Sequence, residues 1–560
     1  MRQCFSFCSI FPKDSVMTKD KLLALWMANG FIPSRGALDL HDMGCEIFSE
    51  LTWRSYFQEI EEDVDGTVAC KMHDLIHDLA TSIMGQECCV IEANEGSQIP
   101  KTARHLFVYN SSRSTNVMDY TTFQPLQSLI LCGDGYFNHS NPSRFISKQK
   151  YLKVLHLGFY MSNIEFKISK HLRYLYLHNS TVKTLRESTS SLLNLQTLSL
   201  KDCGSHKMLP KGTKNLKNLR YLDIRGCHTL TSMPVALGQL SFLRKLSIFI
   251  LGKKDGNCER CHQLPPLGKL RFLKVLNICR ISALKYIDDT FYGDMESSFP
   301  SLEVLSIRVA LCLEEWTIVN GREHFPLLSS LTVDCCPKLV KLPMIQSLKE
   351  LHIGETNVTL LTSLIMNATV LTSLRISDFN ELPDELLKNQ KQLDRLNVFY
   401  CSLKSSSDLL DNLSCLKYLD IQACSIESLP AGLQNLSSLE TLDLNFCDSL
   451  VSLPVNGLQR LSSLCSLRVQ HCKTLASLPE GMRYLTSLQD LLINECPELT
   501  SLPRSIQHLS SLRYLQIRCC RGLISLPDEM QHLSLLSELT IINCSNLMSL
   551  PQGVHNLTTL

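Results

Sequence analysis

Three features of this sequence predict an α/β fold, a leucine-rich-repeat solenoid (horseshoe) preceded by a small partial winged-helix domain. From Cys424 onward a unit of the form L-x-x-L-x-L-x-x-C-x-x-L-x-x-L-P recurs. Its cysteines stand at Cys424, Cys447, Cys472, Cys496, Cys520 and Cys544, in steps of 23, 25, 24, 24 and 24 residues. The Leu-Pro pairs keep step, with prolines at Pro430, Pro454, Pro479, Pro503, Pro527 and Pro551. A period in the twenties with this leucine grammar means that each unit adds one short strand to a solenoid. Ahead of the repeats, the first 92 residues do not repeat at all.

In that first segment Thr18 is an N-cap residue for a helix over Lys19 to Asn29, and Asn29-Gly30 is its stop. Leu40, Met43, Ile47 and Leu51, at steps of three and four, predict a second helix over 40–53. Tyr56 to Ile60 and Thr67 to Lys71 read as two strands joined by an acidic turn ending in Asp65-Gly66. A third helix is expected from Met72 to about Gly85, with Leu75, Ile76, Leu79 and Ile83 facing inward. Helix, helix, hairpin, helix is the order of a winged helix that has lost its first helix. These observations divide the chain into a partial winged helix (1–92), a linker with an irregular first repeat (93–125) and the solenoid (126–560).

The repeats begin irregularly. Leu106, Leu129, Leu155, Leu175, Leu198, Leu222 and Leu246 each sit in a short apolar strand, and Cys203/Pro210 and Cys227/Pro234 show the full pattern early. Between about 250 and 400 the spacing loosens, and residues 252–262 form a polar insertion. About nineteen strands are expected in all. Leu560 holds the place that Leu536 has in the preceding unit, so the solenoid reads as truncated at its C-terminal end, without the polar cap such a fold requires.

Composition narrows the function classes. With 55 basic and 54 acidic residues the formal charge is +1, so no global field steers the chain toward nucleic acid or anionic membrane. The expected hairpin carries Glu59, Glu61, Glu62, Asp63 and Asp65, which would repel DNA phosphates. No apolar run of 18 residues marks a membrane span, and Pro12-Lys13-Asp14 breaks the one short N-terminal apolar stretch that could serve as a signal core. Ten of the 25 cysteines recur once per repeat at one structural position, as buried free thiols would, and a reduced, cytoplasmic setting is expected.

Strand residues alternate between core and solvent. In the regular repeats the leucines and isoleucines of L-x-L point inward, and the residues between them line the concave face. The expected partner-binding residues are Tyr418, Asp420, Asp443, Asn445, Arg468, Gln470, Tyr514, Gln516 and Arg518, with Gln422, Thr441, Ser466, Asp490, Leu492, Asn494, Glu538, Thr540 and Ile542 at equivalent positions. Tyrosine and arginine on a rigid surface are common binding anchors, although any solvated strand face carries such residues. Elsewhere, His73 and His77 are four apart on one helix face, the geometry of H-x-x-x-H. A third ligand at a recognisable spacing is missing, so a solvated helix face is the simpler account.

Three ordered motifs carry a resemblance: Cys4 to Asp14 (CFSFCSIFPKD), Leu25 to Ile32 (LWMANGFI) and Met72-His73-Asp74. They resemble the winged-helix part of plant NLR immune receptors, the nucleotide-binding (NB-ARC), leucine-rich-repeat disease-resistance proteins, in their coiled-coil, non-TIR branch. Leu264 to Leu270 (LPPLGKL), Phe291 to Asp294 (FYGD) and Ser298 to Leu302 (SFPSL) are similar to that family's repeat region. The resemblance implies that His73 contacts the β-phosphate of ADP, flanked by Met72 and with Asp74 bracing the local structure. It also implies a pathogen effector or guarded host protein as partner, and an intramolecular nucleotide-binding domain in full-length relatives. No G-x-x-x-x-G-K-[ST] phosphate loop occurs in the 560 residues, so no cofactor is expected for this chain alone, whereas ADP/ATP is expected for the full-length family. No catalytic constellation appears, and no enzyme activity is expected. The alternative is a non-catalytic leucine-rich-repeat interaction scaffold, a truncated gene product or a decoy.

Overall fold

The computed structural model describes residues 1–33, 39–62, 67–92, 99–110, 125–133, 142–158, 168–180, 183–231, 233–234, 237–250, 264–281, 283–293, 297–317, 323–404 and 407–551. The expected insertion at 252–262, the turn residues Asp63 and Asp65, and the chain end at Leu560 lie outside the described residues. The chain divides into two compact units, Met1–Asn277 with Thr290–Leu302 and Ile278–Asp289 with Glu303–Leu560.

The first unit opens with the winged helix: α1 (Arg2–Phe7), β1 (Met17–Thr18), α2 (Lys19–Asn29), α3 (Leu40–Trp53), β2 (Phe57–Glu62), β3 (Val68–Met72) and α4 (Asp74–Met84). The three strands form an antiparallel sheet in the order β1-β3-β2. Two expectations are corrected here and one is met in part. A first helix is present, because Cys4, Phe5 and Phe7 bury their side chains in the module's core. Thr18 does hold the N-cap position of α2, but its side chain makes no capping bond. Finally, α4 starts at Asp74 rather than Met72, since Met72 still pairs with Phe57 across β2.

The inward stripe of α4 also differs from the expected one. Ala80 is buried and Ile76 and Met84 are partly buried, whereas Leu75 (72% exposed), Leu79 and Ile83 face out. The expected inward set Leu75, Leu79 and Ile83 is therefore wrong, and Ile76 alone of the four points to the core. The His77 Nε2 to Phe11 carbonyl contact at 2.7 Å ties the inner face of α4 to the turn after α1.

A parallel ladder follows in the same unit: β4 (Cys88–Glu92), β5 (His105–Asn110), β6 (Ser128–Gly133), β7 (Val154–Gly158), β8 (Tyr174–Leu177), β9 (Thr197–Ser199), β10 (Tyr221–Asp223) and β11 (Lys245–Phe249). Each strand pairs in register with the next, starting with Cys88 to Glu92 against His105 to Tyr109. The ladder thus begins at Cys88, well before residue 126. Local composition hid this, because β4 carries only Val90 and Ile91 as branched apolar residues and no leucine.

The second unit is a ladder of the same kind. Its strands run from Val304–Arg308 and Ser330–Cys336 through Glu350–Thr356, Ser373–Ser377 and Arg395–Phe399 to Tyr418–Gln422, Thr441–Asn445, Ser466–Gln470, Asp490–Asn494, Tyr514–Arg518 and Glu538–Ile542. All neighbours pair in parallel and in register. The last six strands match the expected repeat frame residue for residue. After each of Pro430, Pro479, Pro503 and Pro527 a five-residue 3-10 turn begins, the proline fixing φ for its first step. In the loosened stretch the helix Val358–Asn367 replaces that turn, capped by Asn357, whose side chain accepts from the Thr359 amide at 2.8 Å.

The cysteines explain the cadence. The residue before each one adopts a left-handed φ (Ala423 52°, Phe446 54°, His471 52°, Glu495 53°, Cys519 53°, Asn543 56°), which turns the following side chain inward. Cys424 and Cys447 then reach the carbonyls of Val398 and Ile421 on the previous strand, each at 3.5 Å. These thiols are free and buried, and burial pushes Cys424 up to about 12, so it stays a neutral donor.

Candidate functional site

In the first unit the ladder face that carries the alternate strand residues is covered by the winged helix. Phe107, Ile130, Val154 and Tyr174 belong to one buried cluster with Phe5, Phe7, Phe11, Leu22, Leu25 and Trp26. His105 sits edge-on to Phe7 at 5.1 Å and to Phe31 at 5.9 Å. Ser128 donates to Asn29 Oδ1 at 2.9 Å and therefore accepts from His105 Nδ1–H, also at 2.9 Å. Burial first, then the charges of Lys153 and Arg104, pushes His105 down to about 3, which keeps the ring neutral.

Charge closes the same contact at its edge. Asp39 caps α3 through the His41 amide at 2.7 Å and binds Arg220 Nη1 at 2.6 Å. Arg244 reaches Asp42 at 3.0 and 3.2 Å and Asp39 Oδ1 at 3.0 Å, with its own side chain only 4% exposed. Burial alone would raise Asp39 and Asp42. The hydrogen bonds and charge of Arg220 on Asp39 and of Arg244 on Asp42 outweigh it and hold both carboxyls below their ordinary value. At the far end Lys245 binds Asp20 at 2.8 Å.

None of Asp39, Asp42, Arg220, Arg244 or His105 was expected from sequence. A faint signal exists, because Arg220 and Arg244 hold the same place two residues before a strand leucine, 24 residues apart.

Met72, His73 and Asp74 lie where β3 hands over to α4. Met72 is buried, while His73 and Asp74 are exposed. His73 is the N-cap of α4, its Nδ1 accepting from the Leu75 amide at 3.2 Å. A neutral ring that accepts at Nδ1 carries its proton on Nε2, so His73 presents an N–H donor outward. That suits a phosphate oxygen, although one donor is not a nucleotide site. Asp78 rather than Asp74 ties α4 to Lys13, at 2.7 Å. Among the described residues no group of three histidine, cysteine or carboxylate side chains could hold a metal ion, and no helix is long and apolar enough to cross a membrane.

In the second unit the expected partner-binding residues share one sheet face. Tyr418, Asp420, Asp443, Asn445, Arg468 and Gln470 occupy three adjacent strands, and Tyr514, Gln516 and Arg518 lie two strands farther on. Leu419, Ile421, Leu442 and Leu444 point the other way and are buried. The Tyr418 hydroxyl donates to Asp443 Oδ2 at 3.1 Å, Asn397 Nδ2 donates to Asp420 Oδ2 at 3.2 Å, and the Arg395 guanidinium lies 4.8 Å from the Tyr418 ring centre. Arg468, Tyr514 and Arg518 are exposed, and the remaining expected residues are half-buried.

Comparison with known proteins agrees with both halves. Residues 10–80 match the family model described as a disease resistance protein winged helix domain. Residues 136–344 and 396–502 match that of a leucine-rich repeat region. The chain is 31% identical over 492 residues to "Putative disease resistance protein RGA1" of Solanum bulbocastanum, covering 72% of this chain and 49% of that one. It is 30% identical over 485 residues to "Putative disease resistance protein RGA4" of the same species, covering 70% and 48%. "Disease resistance protein RGA2" is 42% identical over 144 residues, which is 25% of this chain and 14% of that protein. The chain thus spans about half the length of the first two relatives.

Proposed function

Because the chain belongs to the leucine-rich-repeat disease-resistance (NLR-type) proteins of plants, we propose that it acts in defence as a non-catalytic intracellular receptor. Its second ladder face recognises a pathogen effector or guarded host protein. Its winged helix passes that event to an ADP/ATP switch through His73. The observation that carries this reading is the shared core of the winged helix and first strands, where Phe7, Phe11, Phe107 and Tyr174 are buried together. A module packed this way moves with the strands it covers, so a force on the repeats reaches α4 and the His73 Nε2–H donor. The phosphate-binding remainder would come from a nucleotide-binding domain, since these residues supply one donor only.

Two experiments test the two halves. Capture of candidate effectors is measured with the native face and with Arg468→Glu, Arg518→Glu and Asp443→Lys combined. Loss of capture is expected, and unchanged capture by the triple variant would refute recognition by this face. In a receptor joined to its nucleotide-binding domain, His73→Ala or Asp74→Val should give cell-death signalling without a pathogen. Silence in both would remove His73 from the switch.

A further inference from the structure

Within one chain, two aspartate pairs face arginine in opposite ways. Asp39 and Asp42 hold Arg244 at 3.0 to 3.2 Å, and that guanidinium is nearly buried. Asp420 and Asp443 sit directly opposite each other on neighbouring strands, where like charges about 5 Å apart destabilise a ladder. No guanidinium comes within hydrogen-bond reach of either in the described contacts. Arg468 Nε stops 3.8 Å from Asp443 Oδ1, Arg375 is stacked 4.3 Å over Phe399, and Arg395 is stacked over Tyr418. Burial raises both carboxyls above the ordinary value, with the neighbouring Asp443 charge adding to it at Asp420.

A second observation points to a ligand at the same place. Asp443 Oδ1, Asn445 Oδ1 and Ser466 Oγ are buried without a hydrogen-bond partner, with the Asp443 side chain 14% exposed and Ser466 9% exposed. Beside them runs a rim row, Tyr400, Ala423, Phe446 and His471, whose amides bind successive strands. His471 covers one face of Phe446 at 4.2 Å and 3°. Tyr400 and Phe446 flank the small Ala423 two strand spacings apart, roughly 10 Å, which leaves room for one flat group or alkyl stem between the rings. Both rings are exposed.

We propose that Asp420 and Asp443, with Tyr400 and Phe446 beside them, form a receiving site for an arginine side chain of the partner protein. The site rests on the reading of this face as the recognition surface and specifies its chemistry. An entering guanidinium would bridge the two carboxylates bidentately, as Arg244 already does for Asp39 and Asp42. It would displace only the half-exposed end of Arg468.

The test uses the 560-residue chain and a fluorescein-labelled hexa-arginine peptide, with hexalysine and hexaglutamate for comparison. Hexa-arginine should bind best, and Asp420→Asn with Asp443→Asn should weaken it about tenfold or more, the scale expected for close interfacial charge pairs. Arg468→Ala should bind at least as tightly as the native chain. The asparagines match the shape of the aspartates and relieve a like-charge pair, so the fold survives them. Absence of hexa-arginine binding, or equal binding by native and double-asparagine chains, overturns the site. If a captured effector is lost on Arg518→Glu but kept by the double-asparagine chain, the arginine site fails while recognition by this face stands. Capture indifferent to every substitution on the face fails the broader reading.

Discussion

The two ladders share a backbone and differ in what their alternate strand positions carry. In the first unit those positions hold Phe107, Ile130, Val154, Tyr174 and Tyr221, and the winged helix covers them. In the second they hold Tyr418, Asp420, Asn445, Arg468 and Gln516, which remain half-buried or exposed. The leucine side of both ladders is the same, so it determines the fold and says nothing of function. The alternate side separates a face built to hold a piece of its own chain from a face built in polar chemistry. Arginine follows suit: Arg244 closes an internal contact, and Arg468 lies loosely beside a carboxylate it does not satisfy.

The sharpest way to break this comparison is to remove one arginine from each face. Arg244→Ala removes the charged hydrogen bonds to Asp39 and Asp42 while Arg220 stays on Asp39, and should cost about 2–3 kcal/mol in denaturant unfolding of the first unit. Arg468→Ala should cost less than about 1 kcal/mol, as exposed pairs do. Equal losses would erase the distinction.

Next in size is a packing change in the irregular repeats. A Cβ added at Gly268 would stand 2.3 Å from the Tyr292 carbonyl oxygen, whose residue is packed with Phe291 and Phe299. Gly268→Ala should therefore lower stability by about 1–3 kcal/mol. In the regular repeats Cys424→Ala removes one buried sulfur and its bond to Val398, for about 1 kcal/mol.

The smallest effect is a matter of sign, read by hydrogen exchange across pH. Asp39 and Asp42 have lowered folded values, so their stabilisation is complete at neutral pH and is lost as pH falls through those values, below the ordinary 3.8. Asp420 and Asp443 have raised values, so their penalty is present at neutral pH and is relieved as pH falls through them. Mild acid should steady the second face before stronger acid loosens the winged helix, and the reverse order would contradict the assignments.

Much of this was legible in the sequence, and the exceptions have physical causes. The six regular strands and the sheet face of Tyr418 through Arg518 followed from period alone, because leucine spacing and strand alternation are local. The left-handed turn before each cysteine was not legible, since Ala423, Phe446 and Glu495 are not residues that favour it. There the amide reaching the next strand, as Ala423 does to Asn445 at 2.7 Å, supplies the preference. The inward stripe of α4 was not legible, because Leu75, Leu79 and Ile83 form one apolar stripe at steps of four and Ile76, Ala80 and Met84 another, and only packing against the rest of the module selects the second. The Asp39–Arg220–Arg244 cluster joins residues about 200 apart, a contact that no local pattern announces.

Hydrogen exchange of α2 and α3 in the 560-residue chain, comparing Arg244→Ala with Arg468→Ala, tests the division of the two faces most directly. Faster exchange in both helices for Arg244→Ala, with native rates for Arg468→Ala, is the expected result. Native protection of the winged helix in Arg244→Ala would mean that the charged edge does not hold it to the strands, and the contrast between the two faces would fall.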